Sequence, residues 1–339
     1  MNTRGKDRTV LIAVSLTAVF AVLAGGAWFL SRDAPEEPPR SLPARWPSAD
    51  GEAVRRVPMP TGEMVAALPP ATAGHVLCGA VPEASWASVL GGPVLREATK
   101  YGECHVVTAD LEVSAGMWSE PPLTGGDATE LEVAGHGATL TRTTTQHPID
   151  AMLTVRLSDS TQDWVKPQLQ IRVSAQPGVR TEPDFGGMAT ALGTAMVAAV
   201  ATPGPSLPTR DERAHEMTPI PGSGIGDAAY PLITWQLCTQ LSRASNTPLD
   251  QLRPGLFGSC ERKEELKTIT LAYHDKSDGS FPDRLAGRPA REKTPDTTAE
   301  IQLLDDSHQT LEITWTDSTK PGNALHDLAE KVVPPLLGR

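Results

Sequence analysis

Apolar and polar positions recur in one order twice along this chain. Cys78, Val81, Ser85 and Val89 are spaced for one face of a short helix that begins at the cysteine, and Cys238 and Leu241 repeat the first step before Pro248 interrupts it. Cys104 then opens "VVTADLEVSAGMW", where Leu111, Val113 and Ala115 alternate with polar residues. Cys260 opens "LKTITLAYH", with Leu266, Ile269, Leu271 and Tyr273 as its apolar run. Alternation of period two predicts a half-buried strand in each place. An Ala-Gly pair follows 30 residues after Cys104, at Ala134–Gly135, and 26 residues after Cys260, at Ala286–Gly287. Two further strand-like runs come next in each half, "AMLTVRL" with "LQIRVSA" and "AEIQLL" with "LEITWT". Each half closes on an amphipathic helix, striped by Met188, Leu192, Ala195, Met196 and Ala199 in the first and by Leu325, Leu328, Ala329 and Val332 in the second. Pro203 and Pro334 are expected to stop these helices.

The pattern predicts an α+β protein of two similar domains, each an antiparallel sheet packed by helices. Their expected bounds are 73–201 and 225–339, with 202–224 as a linker of five prolines around a charged middle. Ahead of them, residues 31–72 hold nine prolines and read as an extended stalk.

One stretch has no periodicity because it is apolar throughout. Val10 to Leu30 is a charge-free run of 21 residues, which at a helical rise spans roughly 30 Å, the thickness of a bilayer core. Arg4, Lys6 and Arg8 precede it. The positive-inside rule then keeps residues 1–9 in the cytoplasm and puts the rest outside, as a single-pass membrane protein. The rival is a cleaved signal peptide, with Ala24 to Ala27 as its small-residue site.

Charge narrows the partners. Three basic residues and one acid lie before position 31, so the remainder carries 27 Lys and Arg against 40 Asp and Glu, a net charge of −13. An acidic exterior disfavours nucleic acid and anionic lipid headgroups.

The four cysteines sit in the repeated unit and outside the expected membrane. An even count in an oxidising compartment points to disulfides, and a duplicated domain carrying its own bridge points to Cys78–Cys104 and Cys238–Cys260. No Cys-x-x-Cys and no paired histidine spacing exists, so neither a metal nor a redox cofactor is implied.

Catalytic spacings are equally scarce. Ser223 lies between glycines, but Pro221 stands where a nucleophile elbow needs its first Gly. Gly222, Gly224 and Gly226 follow a proline-rich stretch where a phosphate loop would need a strand. The eight histidines are scattered singly, and the acidic pairs Glu264–Glu265, Asp305–Asp306 and Glu130 with Glu132 read as solvated edges. Tryptophan stands out, with seven against three Tyr and five Phe. Trp164, in the polar "STQDWVKPQ", is the expected exposed binding residue. The resulting expectation is a binding or scaffolding protein of the cell envelope without catalytic activity, whose partner is an envelope protein or wall polymer. The alternative is an envelope hydrolase acting on wall polymer or peptide.

"LCGAVPEASWASVLGG…GEC" and "LCTQLSRASNTPLDQL…GSC", with "GIGDAAY", resemble a family of actinobacterial cell-envelope domains of unknown function. The resemblance covers about two thirds of the chain. It implies an antiparallel sheet with helices packed on it, and no catalytic residue. The chain departs from that family in its apolar N-terminal run, which replaces a lipid-modified cysteine.

Overall fold

The computed structural model describes residues 50–60, 62–120, 127–143, 150–179, 183–201, 204, 206–209, 224–305, 307–317 and 323–338. The apolar run 10–30 lies outside them, as do Ser223 and most of the stretch read as a linker. Among the described residues no helix is long and apolar enough to cross a membrane.

The first half begins with strand β1 (Gly51–Ala53), a buried 3-10 turn over Gly62–Ala67, and helices α1 (Pro70–Ala80) and α2 (Glu83–Leu90). Seven strands follow: β2 (Leu95–Thr99), β3 (Glu103–Val107), β4 (Leu111–Trp118), β5 (Asp127–Val133), β6 (His136–Thr143), β7 (Asp150–Arg156) and β8 (Gln168–Ala175). Helix α3 (Phe185–Val200) closes the half. The second half has α4 (Tyr230–Ser245), β9 (Arg253–Gly255), β10 (Ser259–Lys263), β11 (Lys267–His274), β12 (Asp283–Leu285), β13 (Arg288–Thr294), β14 (Thr298–Gln302), β15 (Thr310–Asp317) and α5 (Ala324–Leu336). The protein is therefore α+β, with two wholly antiparallel sheets.

The eight-stranded sheet runs β1-β2-β3-β4-β8-β7-β6-β5, and the seven-stranded sheet runs β9-β10-β11-β15-β14-β13-β12. Without β1 the two orders coincide strand for strand. Register coincides as well. Cys104 pairs across its ladder with Ala115, and Cys260 with Leu271. The Ala-Gly pairs form the matching hairpin turns, closed by Val133↔His136 and Leu285↔Arg288. Both central residues are left-handed in each, with φ of 49° and 84° in one and 50° and 75° in the other, as a two-residue turn of the primed type requires. His136 and Arg288 follow these turns, and each reaches a backbone carbonyl on the next strand, at Arg156 (3.1 Å) and Gln302 (3.0 Å).

One face of each sheet is the core. Leu111, Val113, Ala115, Leu153, Val155, Leu169, Ile171 and Val173 pack under α1 and α3, while Ile269, Leu271, Ile301, Leu311 and Ile313 pack under α4 and α5. The disulfides Cys78–Cys104 and Cys238–Cys260 join α1 to β3 and α4 to β10, with Cα separations of 5.0 and 5.2 Å. Each is fully buried.

Three expectations need correction. The helix bearing Cys78 precedes the cysteine, because Val81 before Pro82 is pushed out of the helical region and α1 stops there. The stalk does not reach residue 72: from Asp50 onward the chain is folded, with β1 on the sheet edge and Met64 to Leu68 buried. Pro334 does not stop α5, which runs on to Leu336. Its two prolines forfeit donors only in the last turn, where Leu337 N–H closes on the carbonyls of Val333 (3.2 Å) and Pro334 (3.1 Å).

The described residues belong to one compact unit, so the halves are packed together. Their seam is polar and buried. The Gln309 side-chain amide, 0% exposed, lies 2.7 Å from both the Gly226 carbonyl and the Tyr273 hydroxyl, and 3.1 Å from Thr72 Oγ1. Thr72 in turn donates to the Gly226 carbonyl at 2.6 Å, and Arg55 pairs with Asp227. Gly226 therefore serves close packing at the seam.

Candidate functional site: a cleft on the outer face of the first sheet

Trp164 is not an exposed platform. It is 3% exposed and sits in the core cluster with Val165. Its loop is pinned by Leu157 N–H to the Pro167 carbonyl (2.8 Å) and by Lys166 N–H to the Ala66 carbonyl (2.7 Å). That folding turns the indole inward and leaves Thr161 and Asp163 outside. Of the other tryptophans, Trp86 is buried, Trp235 and Trp315 are half-buried, and Trp118 is 47% exposed.

Trp118 stands at the end of β4, on the face opposite Leu111, Val113, Ala115 and Met117. Its indole lies over Gly116, where an added Cβ would meet Trp118 Nε1 at 3.1 Å. In register it pairs with Gln168 of β8, which pairs onward with Arg156 of β7. The neighbouring row on this outer face runs Gly116, Gln170, Thr154, Thr139, Glu130 from β4 to β5. Four strand spacings make that row about 19 Å long.

A cleft of about 690 Å³ opens over the β8–β5 part of these rows, lined by Glu130, Thr139, Thr154, Arg156 and Gln168, with Glu63 from the 3-10 turn at its side; Trp118 stands next to Gln168, beyond the lining. Its charged groups are engaged at the rim. Thr139 donates to Glu130 at 3.0 Å, Arg156 holds Asp159 at 2.9 Å, and Leu207 N–H donates to Glu63 at 3.3 Å. Two neutral groups in the wall are not engaged: Thr154 Oγ1 and Gln168 Oε1 have no hydrogen-bond partner among the described residues. Thr154 is only 8% exposed. A buried polar group without a partner costs free energy, so native folds retain few of them.

The same address in the second half is filled. Counting from either the disulfide or the hairpin turn, Gln170, Thr154 and Thr139 correspond to Glu312, Glu300 and Arg291, which form the row Glu312↔Glu300↔Arg291. Glu300 is 1% exposed and accepts from Arg291 Nε (2.8 Å) and Thr310 Oγ1 (2.8 Å), with Lys293 Nζ 3.2 Å away. Burial pushes its pKa up, but the hydrogen bonds from Ser277, Thr310, Arg291 and Lys293 outweigh it and hold the group at about 2. Lys293 also reaches Glu312, at 2.7 Å. Every charge in this cluster has a partner.

A second polar cluster lies elsewhere on the first sheet's outer face. His105 Nε2 is 2.7 Å from Glu112 and Nδ1 is 3.5 Å from Glu97. Burial lowers the His105 pKa, yet the two carboxylates more than reverse this and raise it, while the His105 hydrogen bond lowers that of Glu112. Arg172 pairs with Asp150. These groups satisfy one another, which marks them as structural. Among the described residues no group of three His, Cys, Asp or Glu side chains is placed to hold a metal ion.

Comparison with protein-family models, curated proteins and solved structures gives no match. The site rests on its own geometry. What the sequence offered was the strand period: Glu112, Ser114, Gly116 and Trp118 are the even positions of β4, all on the solvent side.

Proposed function

We propose that the chain is a membrane-anchored extracytoplasmic binding protein made of two copies of one α+β unit, with binding assigned to the first copy and support to the second. The observation that carries this reading is the cleft with its unengaged Thr154 and Gln168, set against the filled equivalent at Glu300. Duplication is supported by the matching strand order, register and hairpin turns. Two buried disulfides suit an oxidising compartment. The anchor and the N-in orientation rest on the charge-free run and its basic flank. The resemblance to actinobacterial envelope domains accords with this placement. The partner class is an envelope protein or a wall polymer.

The test is hydrogen exchange on the full-length chain mixed with solubilised envelope material from its native host. Protection is expected across β5–β8 and not across β12–β15. Equal protection of both sheets, or protection confined to the second, would overturn the assignment. Turnover of a bound wall fragment, abolished by Glu130→Gln, would replace this reading with the hydrolase.

A further inference from the structure

The chemistry of the cleft narrows its ligand. We infer that it takes a neutral, hydroxyl-rich oligosaccharide chain, laid across β4–β8–β7–β6–β5 with one ring stacked on Trp118; this rests on the cleft being the binding site. Three observations converge on that class.

The unengaged groups are both uncharged. A hydroxyl such as Thr154 Oγ1 donates and accepts, and an amide oxygen such as Gln168 Oε1 accepts. Sugar hydroxyls, which also do both, match this pair in full; an acceptor-only anion has nothing to give Gln168 Oε1, and a donor-only cation leaves the Thr154 hydroxyl proton unused. Thr139, Thr141 and Ser158 extend the same chemistry along the wall.

Charge at the rim excludes polyanions. Glu63, Glu130 and Asp159 outnumber Arg156, and Arg156 is already paired with Asp159. A phosphate or sulfate chain would meet a net negative rim. A cationic peptide would find those carboxylates already engaged, Glu130 by Thr139 and Asp159 by Arg156.

Shape supplies the third. From Gln168 on β8 to Glu130 on β5 the cleft crosses three strand spacings, about 14 Å, suited to a chain of a few rings, and Gly137 leaves its floor low. At one end stands Trp118, 47% exposed and in register with Gln168. An exposed indole offers a broad apolar face beside a polar wall.

The experiment is an NMR titration of the full-length, nitrogen-15-labelled protein. Its probes are chitotetraose, maltotetraose and mannotetraose, with a heparin tetrasaccharide, tetra-alanine and tetra-lysine as contrasts. At least one neutral tetrasaccharide should shift the Trp118 indole N–H and the Thr139 and Thr154 amides. Trp118→Ala should weaken that binding about tenfold, and Thr154→Val should weaken it while leaving the fold intact by circular dichroism. Lys293→Ala, in the second sheet, should leave it unchanged. Shifts at the same nuclei from tetra-lysine or tetra-alanine alone would overturn the ligand class and leave the cleft as the binding site. Silence of the cleft towards all three neutral sugars, with envelope material still protecting β5–β8, would overturn it in the same way. Sugar-induced shifts confined to residues outside the cleft would overturn both.

Discussion

Replacing Thr154 by Val tests the cleft without any ligand. The side chain is 8% exposed on a central strand, and its hydroxyl has no partner among the described residues. Valine keeps the shape, keeps the β-branch that suits a strand, and exchanges the hydroxyl for a methyl group. Folding strips water from the hydroxyl and returns no partner among the described residues, a cost of about 1–3 kcal/mol. Thr154→Val removes that cost, so the variant should be more stable by about 1 kcal/mol. For a cooperative unit of this size the melting temperature should rise by about 2 °C. Scanning calorimetry and urea titration of the full-length chain measure it, with Thr139→Val as the contrast. Thr139 donates to Glu130 at 3.0 Å, so its loss should be neutral or slightly destabilising. A fall in stability for Thr154→Val would mean that the folded protein satisfies this hydroxyl itself. The wall would then be structural and the binding assignment would lose its main support.

Glu300→Gln should destabilise the second half by about 3 kcal/mol, at the low end for a broken buried ion pair because Arg291 and Lys293 are partly exposed and can rehydrate. The carboxylate is depressed from 4.5 to about 2, so its contribution is present above 4.5 and lost as pH falls through about 2; urea midpoints of wild type and variant should converge on acidification. His105 behaves oppositely. Its raised pKa means its charged contacts with Glu112 and Glu97 contribute fully below the ordinary value of 6.5 and fade as pH rises through the folded one. The stability gap between wild type and Glu112→Gln should therefore shrink as pH rises above about 6.5, and a constant gap would refute the pairing. Gly74→Ala should destabilise despite a helix propensity gain of about 1 kcal/mol, because its Cβ would lie 2.6 Å from the Glu103 carbonyl oxygen and 3.3 Å from Ala98 Cβ. A rise in melting temperature for that variant would refute the close packing of α1 on β3.

Much of the architecture was legible because its signals are local. The alternation in β4, β8, β11 and β15, the two left-handed Ala-Gly turns and the even cysteine count each sit within a few residues. Edge strands were harder. "DATELEV" of β5, at the end of the first sheet, carries charges where apolar alternation would be sought, since its faces are wet. Trp164 misled for a related reason: polar neighbours describe the outside of a loop and not the direction of its largest side chain. The cleft itself was not legible. It exists because β8, β7, β6 and β5 pair side by side and the 3-10 turn brings Glu63 to their edge from far away in the chain. Only the even-position rule within β4 pointed towards Trp118.

The two halves show why backbone equivalence and side-chain chemistry must be weighed separately. Thr154 and Glu300 occupy one address in one sheet topology, and both are buried. A buried carboxylate tolerates that address only when donors surround it, and Arg291, Lys293 and Thr310 are there to do so. Had the first half needed only to fold, an apolar residue at position 154 would have been the less costly choice, since a well-packed apolar group avoids the desolvation that either polar solution incurs. A hydroxyl held there without a partner among the described residues is therefore the choice that their fold alone does not explain. A ligand that supplies the missing hydrogen bond explains it, because the cost met in the free protein is returned on binding. The second half cannot do the same: anything reaching Glu300 would first have to displace two cations that already hold it.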